Sequence, residues 1–381
     1  ELPNDPEAAL FYGLFRLATV SPGDKSFTVQ REVGEMAEKY MATYPDHPGA
    51  FHYAIHAYDV PPLATRALAV ARSYGKIAPE IPHALHMPSH IFTRLGYWPE
   101  SIDWNARSAK AAIGLPYNGE VSPHLFHALD YEVYALLQQG DDARARELVK
   151  NTDTLKAKLH VAATTAYALA AMPARLELED HQWKAAADLP MPDTSRFAWK
   201  KFPQWEALLF YGKGLGAARS GNTAVAEQSL DRLTTLQSQL GDAPPTKYWY
   251  DQMEAQKTTI NAWMKYGAGQ KDEALALMQK AADLEDATVK NPVSPGELLP
   301  ARELLGDMLM EMGKSADALA AYEACLTTRP NRFNSLYGAG YAAEKSGDTK
   351  KMNSYYGQLL TVAPASTREQ IDHAKKAMTP G

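Results

Sequence analysis

At 381 residues, 45% of them hydrophobic, the chain can bury a large core, as one elongated array or as two domains. A formal charge of −6, with Lys and Arg scattered, leaves no basic stripe and argues against nucleic acid as a partner, and no apolar run approaches the ~18–20 residues of a membrane span. The single cysteine excludes an internal disulfide and a thiolate cage, so a transition metal would have to be held by His, Asp, Glu or Tyr.

Helical periodicity runs along the whole chain, and no series of alternating Val/Ile/Thr runs with hairpin turns interrupts it. A start at Glu1 rather than Met is that expected of a processed product; the expectation leans to an exported protein, with the cytoplasm left open. "DPEAALFYGLFRLAT" (5–19) and "REVGEMAEKYMATY" (31–44) predict two amphipathic helices. "HPGAFHYAIHAYDVPPLATRAL" (47–68) predicts a helix carrying His52 and His56 that turns near Val60–Pro62, and "PLATRALAVARSYGKI" a partner helix after it. In "PHALHMPSHIF" (82–92) the histidines at 83, 86 and 90 stand at helical spacing, and Pro88 either bends that helix or begins a new one. "HIFTRLGYWPESIDWNARS" turns at Gly96; "GLPYNGEVSP" (114–123) is an insertion whose end, Ser122–Pro123, caps the next helix and sets His124 at its lip. "LDYEVYALLQQGDDARARELV" turns at Gly140, "YGKGLGAARSGNTAVAEQSL" at Gly221 and "INAWMKYGAGQKDEALALMQKA" at Gly269, with a second insertion at 241–251. "AADLPMPDTSRFAWKK" (186–201) is the candidate boundary, dividing the chain into 1–186 and 187–381.

The last segments repeat. "LLGDMLMEMGKSADALAAYEACLTTRP" and "GAGYAAEKSGDTKKMNSYYGQLLTVAP" superimpose with a shift of 34, placing Gly306 on Gly340, Gly313 on Gly347, Tyr322 on Tyr356 and Pro330 on Pro364. These residues resemble the tetratricopeptide repeat: a small residue for close helix approach, a turn glycine, an aromatic between repeats and a terminating proline. The resemblance implies an all-α fold, a right-handed helix–turn–helix solenoid whose first helices line a concave groove, with six to nine helix pairs. The spacing of turn glycines, 44, 48, 44 and 34 residues, shows the array to be degenerate.

The turns give the histidines a register. His90, His86 and His83 lie six, ten and thirteen residues before Gly96; Tyr134, Asp130 and His127 stand at the same offsets before Gly140; His56 and His52 lie six and ten before Pro62. Three successive first helices would thus present these side chains to one groove. Seven of the eleven histidines (52, 56, 83, 86, 90, 124, 127) fall within 76 residues, where a uniform scatter puts about two. A lone HxxxH pair is usually structural or solvated, and the bland reading of the whole set is a groove of mutually hydrogen-bonded polar rings. The convergence of three helices favours a mono- or dinuclear metal site of His52, His56, His83, His86, His90, His127 and His124. Imidazole disfavours hard ions and leaves Zn, Cu and Fe. Oxidoreductase and hydrolase chemistry both stay open, with Asp130 as ligand or base and Tyr134 as hydrogen-bond donor or redox partner. The competing reading is a non-catalytic scaffold that binds a peptide or partner protein along the groove.

The stretches "HPGAFHYAIHAYD", "APEIPHALHMPSHIF" and "RLGYWPESIDWNARSA" further resemble a group of bacterial tetratricopeptide-repeat proteins in which these histidine-bearing segments recur together, closely over about residues 40–150. That resemblance names no reaction and no metal. His47, His160, His181 and His373 fall off the groove offsets. "YGKGLG" (211–216) lacks a preceding strand and the Lys-Ser/Thr ending of a phosphate loop. Cys325 reads as an inert core thiol, Arg175 with Glu177 as an exposed helical pair, and Glu303, Asp307, Asn334, Tyr337 and Tyr341 as lining of the C-terminal groove.

Overall fold

The structure, a computed structural model, describes residues 5–243 and 246–379, so Pro244 and Pro245 of the second insertion lie outside it. The N-terminal helices are α1 (Pro6–Ala18), α2 (Thr28–Thr43), α3 (Pro48–Tyr58), α4 (Leu68–Tyr74), α5 (Pro82–His86), α6 (Pro88–Leu95) and α7 (Trp98–Gly114). There follow α8 (Pro123–Gln138), α9 (Asp142–Asp153), α10 (Ala163–Glu179), α11 (Trp183–Ala187), α12 (Pro203–Ser220), α13 (Thr223–Leu240), α14 (Lys247–Gly267) and α15 (Lys271–Asp286). The chain ends with α16 (Ala301–Glu311), α17 (Ser315–Thr328), α18 (Phe333–Ser346), α19 (Thr349–Val362) and α20 (Glu369–Met378). Among the described residues the only β pairing is two isolated bridges, Tyr117 with Glu120 and Val121 with Leu159. The expected all-α helical-repeat fold holds: α1/α2, α3/α4 and each later pair pack together, nine pairs among the described residues if the broken α5–α6 counts as one first helix, with α20 closing the array. No described helix is long and apolar enough to cross a membrane.

Local chemistry sets these boundaries. Asp5, Ser122, Asp141, Asn222 and Asp348 each accept a backbone N–H at the start of their helices, and proline occupies the first turn of α1, α3, α5, α6, α7, α8 and α12. In the last repeats the small-residue rule is visible: a Cβ on Gly340 would lie 2.4 Å from the Tyr356 ring, so only glycine lets that ring seat. Pro88 both breaks and continues its helix. Met87 keeps helical geometry (φ −52, ψ −41), while the bond that a residue 88 amide would make to Ala84 is lost and α6 starts afresh.

The array closes on itself. The turn at Gly96 (φ +70) abuts the link between the last two repeats, where Trp98 Nε1 donates to Asn331 O at 2.8 Å and Asn331 Nδ2 to Gly96 O at 3.3 Å. One repeat further on, Arg368 grips Asp142 and the turn at Gly140 packs on Ser366. At the centre of the seam Arg332 of the C-terminal half bonds Glu179 and Tyr134 of the N-terminal half. A loop does occur at 188–198, but it does not divide the core: one buried cluster runs from Trp98 to Ala374, and a second, smaller one from Phe51 to Phe92.

Closure also corrects the reading of the C-terminal groove. Glu303 and Asn334 are buried in the seam, Glu303 on Arg332, which itself bonds Glu179, and Asn334 directly on Glu179 of the N-terminal half.

Candidate metal centre

Four helices converge. α3 supplies His52 and His56, α5 His83 and His86, α6 His90, and α8 His124 and His127. The rings form one contiguous chain: His124 to His83 at 5.3 Å between centroids, His83 to His52 4.9 Å, His52 to His56 4.8 Å, His56 to His90 5.6 Å, His90 to His86 4.9 Å and His86 to His127 4.1 Å. Two trios bring ring nitrogens within 4.8 Å of one another: His52/His56/His83, half-buried, and His86/His90/His127, buried. α5 feeds both trios, His83 going to the outer and His86 to the inner, and α6 adds His90 to the inner one across the break at Met87–Pro88.

The inner trio is held by a set of orienting bonds. Asn105 spends its Nδ2 on Ser101 O (2.7 Å), so its Oδ1 faces His86 Nδ1 at 2.7 Å and fixes the His86 proton there. Asp59 Oδ2 lies 3.1 Å from His90 Nδ1 and fixes that proton likewise. Both Nε2 lone pairs are thereby turned inward, where His86 Nε2 and His90 Nε2 stand 3.1 Å apart. Two neutral acceptors facing each other at that distance repel, and His86, His90 and His127 are the residues that would hold an ion there. Asp59 is itself anchored by Arg94 Nε (3.0 Å) and Lys290 (3.7 Å). Although burial raises it, these two cations and His90 hold its carboxyl far below the ordinary range.

All seven imidazoles are held neutral. Burial, followed by the neighbouring rings, pushes His52, His56 and His83 down to about 3 and His86 and His127 well below the ordinary value; burial also lowers His124, and lowers His90 despite Asp59. Neutral imidazole is the form that ligates.

Asp130 and Tyr134 do not join this cluster. α8 lies between α5–α6 on one flank and α10 on the other; His124, His127 and Tyr131 project to the first, Asp130 and Tyr134 to the second. Asp130 pairs with Arg175, and burial, outweighing that cation, raises its carboxyl to about 6. The Tyr134 hydroxyl accepts from Arg332 Nη1 at 3.1 Å. Arg175 is thus fully buried rather than exposed, and Glu177 pairs instead with Arg146.

The place expected for Tyr134 belongs to Tyr131. Its ring lies edge-on to His86 (4.7 Å) and His127 (5.4 Å), and its hydroxyl donates to Pro292 O and Ser294 O at 2.9 and 3.0 Å. The 290–296 segment thereby roofs the inner trio, with Lys290 Nζ donating to Ser294 O. Tyr131 stands four residues after His127, a helical interval that could have revealed it; Asp59 closes the quoted "HAYD". Lys290 carried no local signal. The four excluded histidines do other work: His47 caps α3 and pairs with Glu7, His160 pairs with Glu120, His181 stacks on Trp183, and His373 pairs with Glu344. Cys325 is buried, and burial pushes its thiol up to about 12.

The tetratricopeptide repeat family model matches residues 299–332, which are α16 and α17 with their flanks. No match is found among curated proteins. Among solved structures, the human IFIT1 dimer with PPP-AAAA is 12% identical over 94% of this chain and 73% of its own (TM-score 0.43). The P58(IPK) TPR domain is 15% identical over 98% of both chains (TM-score 0.28). At such similarity no ligand or partner carries across.

Proposed function

We propose that this helical-repeat protein binds a transition metal ion in its histidine-rich groove, with His86, His90 and His127 as the best-built site. The carrying observation is the pair of facing Nε2 atoms, 3.1 Å apart, whose opposite nitrogens are committed to Asn105 and Asp59. Such outer partners fix tautomer and ring direction at metal-ligating histidines. Three neutral imidazoles suit Zn, Cu or Fe and leave a coordination position open for water or a substrate atom. Metal analysis of untagged protein tests the reading. The tightly held metal should be lost in His90→Ala with helicity unchanged and retained in His373→Ala. Protein that holds no metal, and whose melting temperature does not rise on adding Zn²⁺ or Cu²⁺, would refute it. The repeat at 299–332 favours a second reading, a scaffold for a peptide or partner protein, and that outcome would leave it standing.

A further inference from the structure

We propose that the outer trio, His52, His56 and His83, is a separate and more labile metal site through which an ion is passed to the inner one. The proposal rests on the metal-binding reading above and adds a division of labour to it. The two trios differ in construction. Each of His86 and His90 has a side-chain partner on Nδ1, whereas the outer rings have none, and His83 Nδ1 is buried with no partner at all. An imidazole without an orienting partner is a weaker and more readily exchanged ligand.

They differ equally in access. His86, His90 and His127 are 1%, 3% and 8% exposed, while His52, His56, His83 and His124 are half-buried. Tyr131 and the 290–296 segment roof the inner trio. The ring chain offers a path between the two, with His56 5.6 Å from His90 and His83 6.3 Å from His86. Along it, each step forms one metal–nitrogen bond as another breaks, imidazole for imidazole. The ion keeps its charge and sheds its waters stepwise rather than at once.

Co²⁺ added to the metal-free full-length protein provides the test, through its visible absorption and stopped-flow loading. The wild type should take up two ions, the first quickly and weakly held. In His52→Ala/His83→Ala one ion should remain, with the dissociation constant of the inner site kept and its loading slowed by about tenfold or more. Where that variant loses helicity, His56→Gln, which keeps ring-like polarity and volume, is read in the same way. Loading at the wild-type rate, or two ions still bound, would overturn the proposal while leaving the inner site intact. A wild type that binds no Co²⁺ would instead bring down the reading on which it rests.

Discussion

Arg332→Met would remove the staple at the centre of the seam. Arg332 has no exposed surface and donates to Glu303 at 2.8 and 2.9 Å, to Glu179 at 2.9 and 3.0 Å and to the Tyr134 hydroxyl at 3.1 Å. Methionine fills much of its volume but strands two buried carboxylates that lie on one guanidinium. Breaking a buried pair in this manner costs about 3–5 kcal/mol. Unfolding entropy of about 2.1 cal/mol/K per residue gives roughly 0.8 kcal/mol/K for this chain, so the melting temperature should fall by about 4–6 °C. The loss should also depend on pH. Burial raises the Glu303 carboxyl, and in the wild type Arg332 outweighs burial and holds it below the ordinary value. That contribution is present above the unfolded-state value and is lost as pH falls. In the variant burial is opposed mainly by the Ser335 hydroxyl, which still donates to Glu303; the folded carboxylate then binds protons more readily than the unfolded one, and stability is regained as pH falls. The gap between the two proteins in urea melts should therefore be widest near pH 7 and narrow toward about pH 4. A gap under about 1 kcal/mol, or one constant over that range, would show that Arg332 is not a charged staple.

Three further outcomes follow from the same geometry. Gly96→Ala forces a Cβ to 2.4 Å from Pro330 O at φ +70 and should cost about 1–3 kcal/mol; the Trp98 indole N–H should lose hydrogen-exchange protection, and unchanged protection would count against closure at this seam. Asn105→Leu removes the acceptor that fixes the His86 proton, so Zn²⁺ affinity measured by chelator competition should fall about 10–100-fold with far-UV circular dichroism unchanged; an unaltered constant would refute the tautomer assignment. His52, His56 and His83 are held near about 3 in the folded state, so the unfolded chain binds more protons below its ordinary histidine value. Metal-free protein should accordingly lose stability as pH falls through about 6.5 toward about 3, more steeply than His52→Gln/His56→Gln/His83→Gln, and equal slopes in urea melts would refute it.

The fold was legible because its signals are local. Turn glycines, capping residues and a period of 34 are read within a few turns of chain, and so was the histidine register, since His52/His56, His83/His86/His90 and His127 share offsets from turns that neighbour one another. One offset failed because a helix in the middle of an array has two flanks. On α8 the period alone cannot tell Asp130 and Tyr134, which turn to α10, from His124 and Tyr131, which turn to α5 and α6. Arg175 looked like an exposed helical arginine for a similar reason: its partner Asp130 is 45 residues away, on the neighbouring first helix. What no window of sequence could carry is the return of the chain. Lys290 reaches Asp59, and Arg332 reaches Glu179, only because the superhelix comes round.

That return fixes the length of the molecule. Repeat arrays ordinarily diversify by gaining or losing whole units, since each unit meets only its neighbours. Here one more 34-residue unit between Asp142 and Pro330 would carry the seam past its partners, parting Trp98 from Asn331 and Arg368 from Asp142. Inserted before Lys290, it would also draw the 290–296 roof away from Tyr131. Copy number is therefore locked, and a histidine cluster lying wholly in the first third of the chain is hostage to every repeat that follows it.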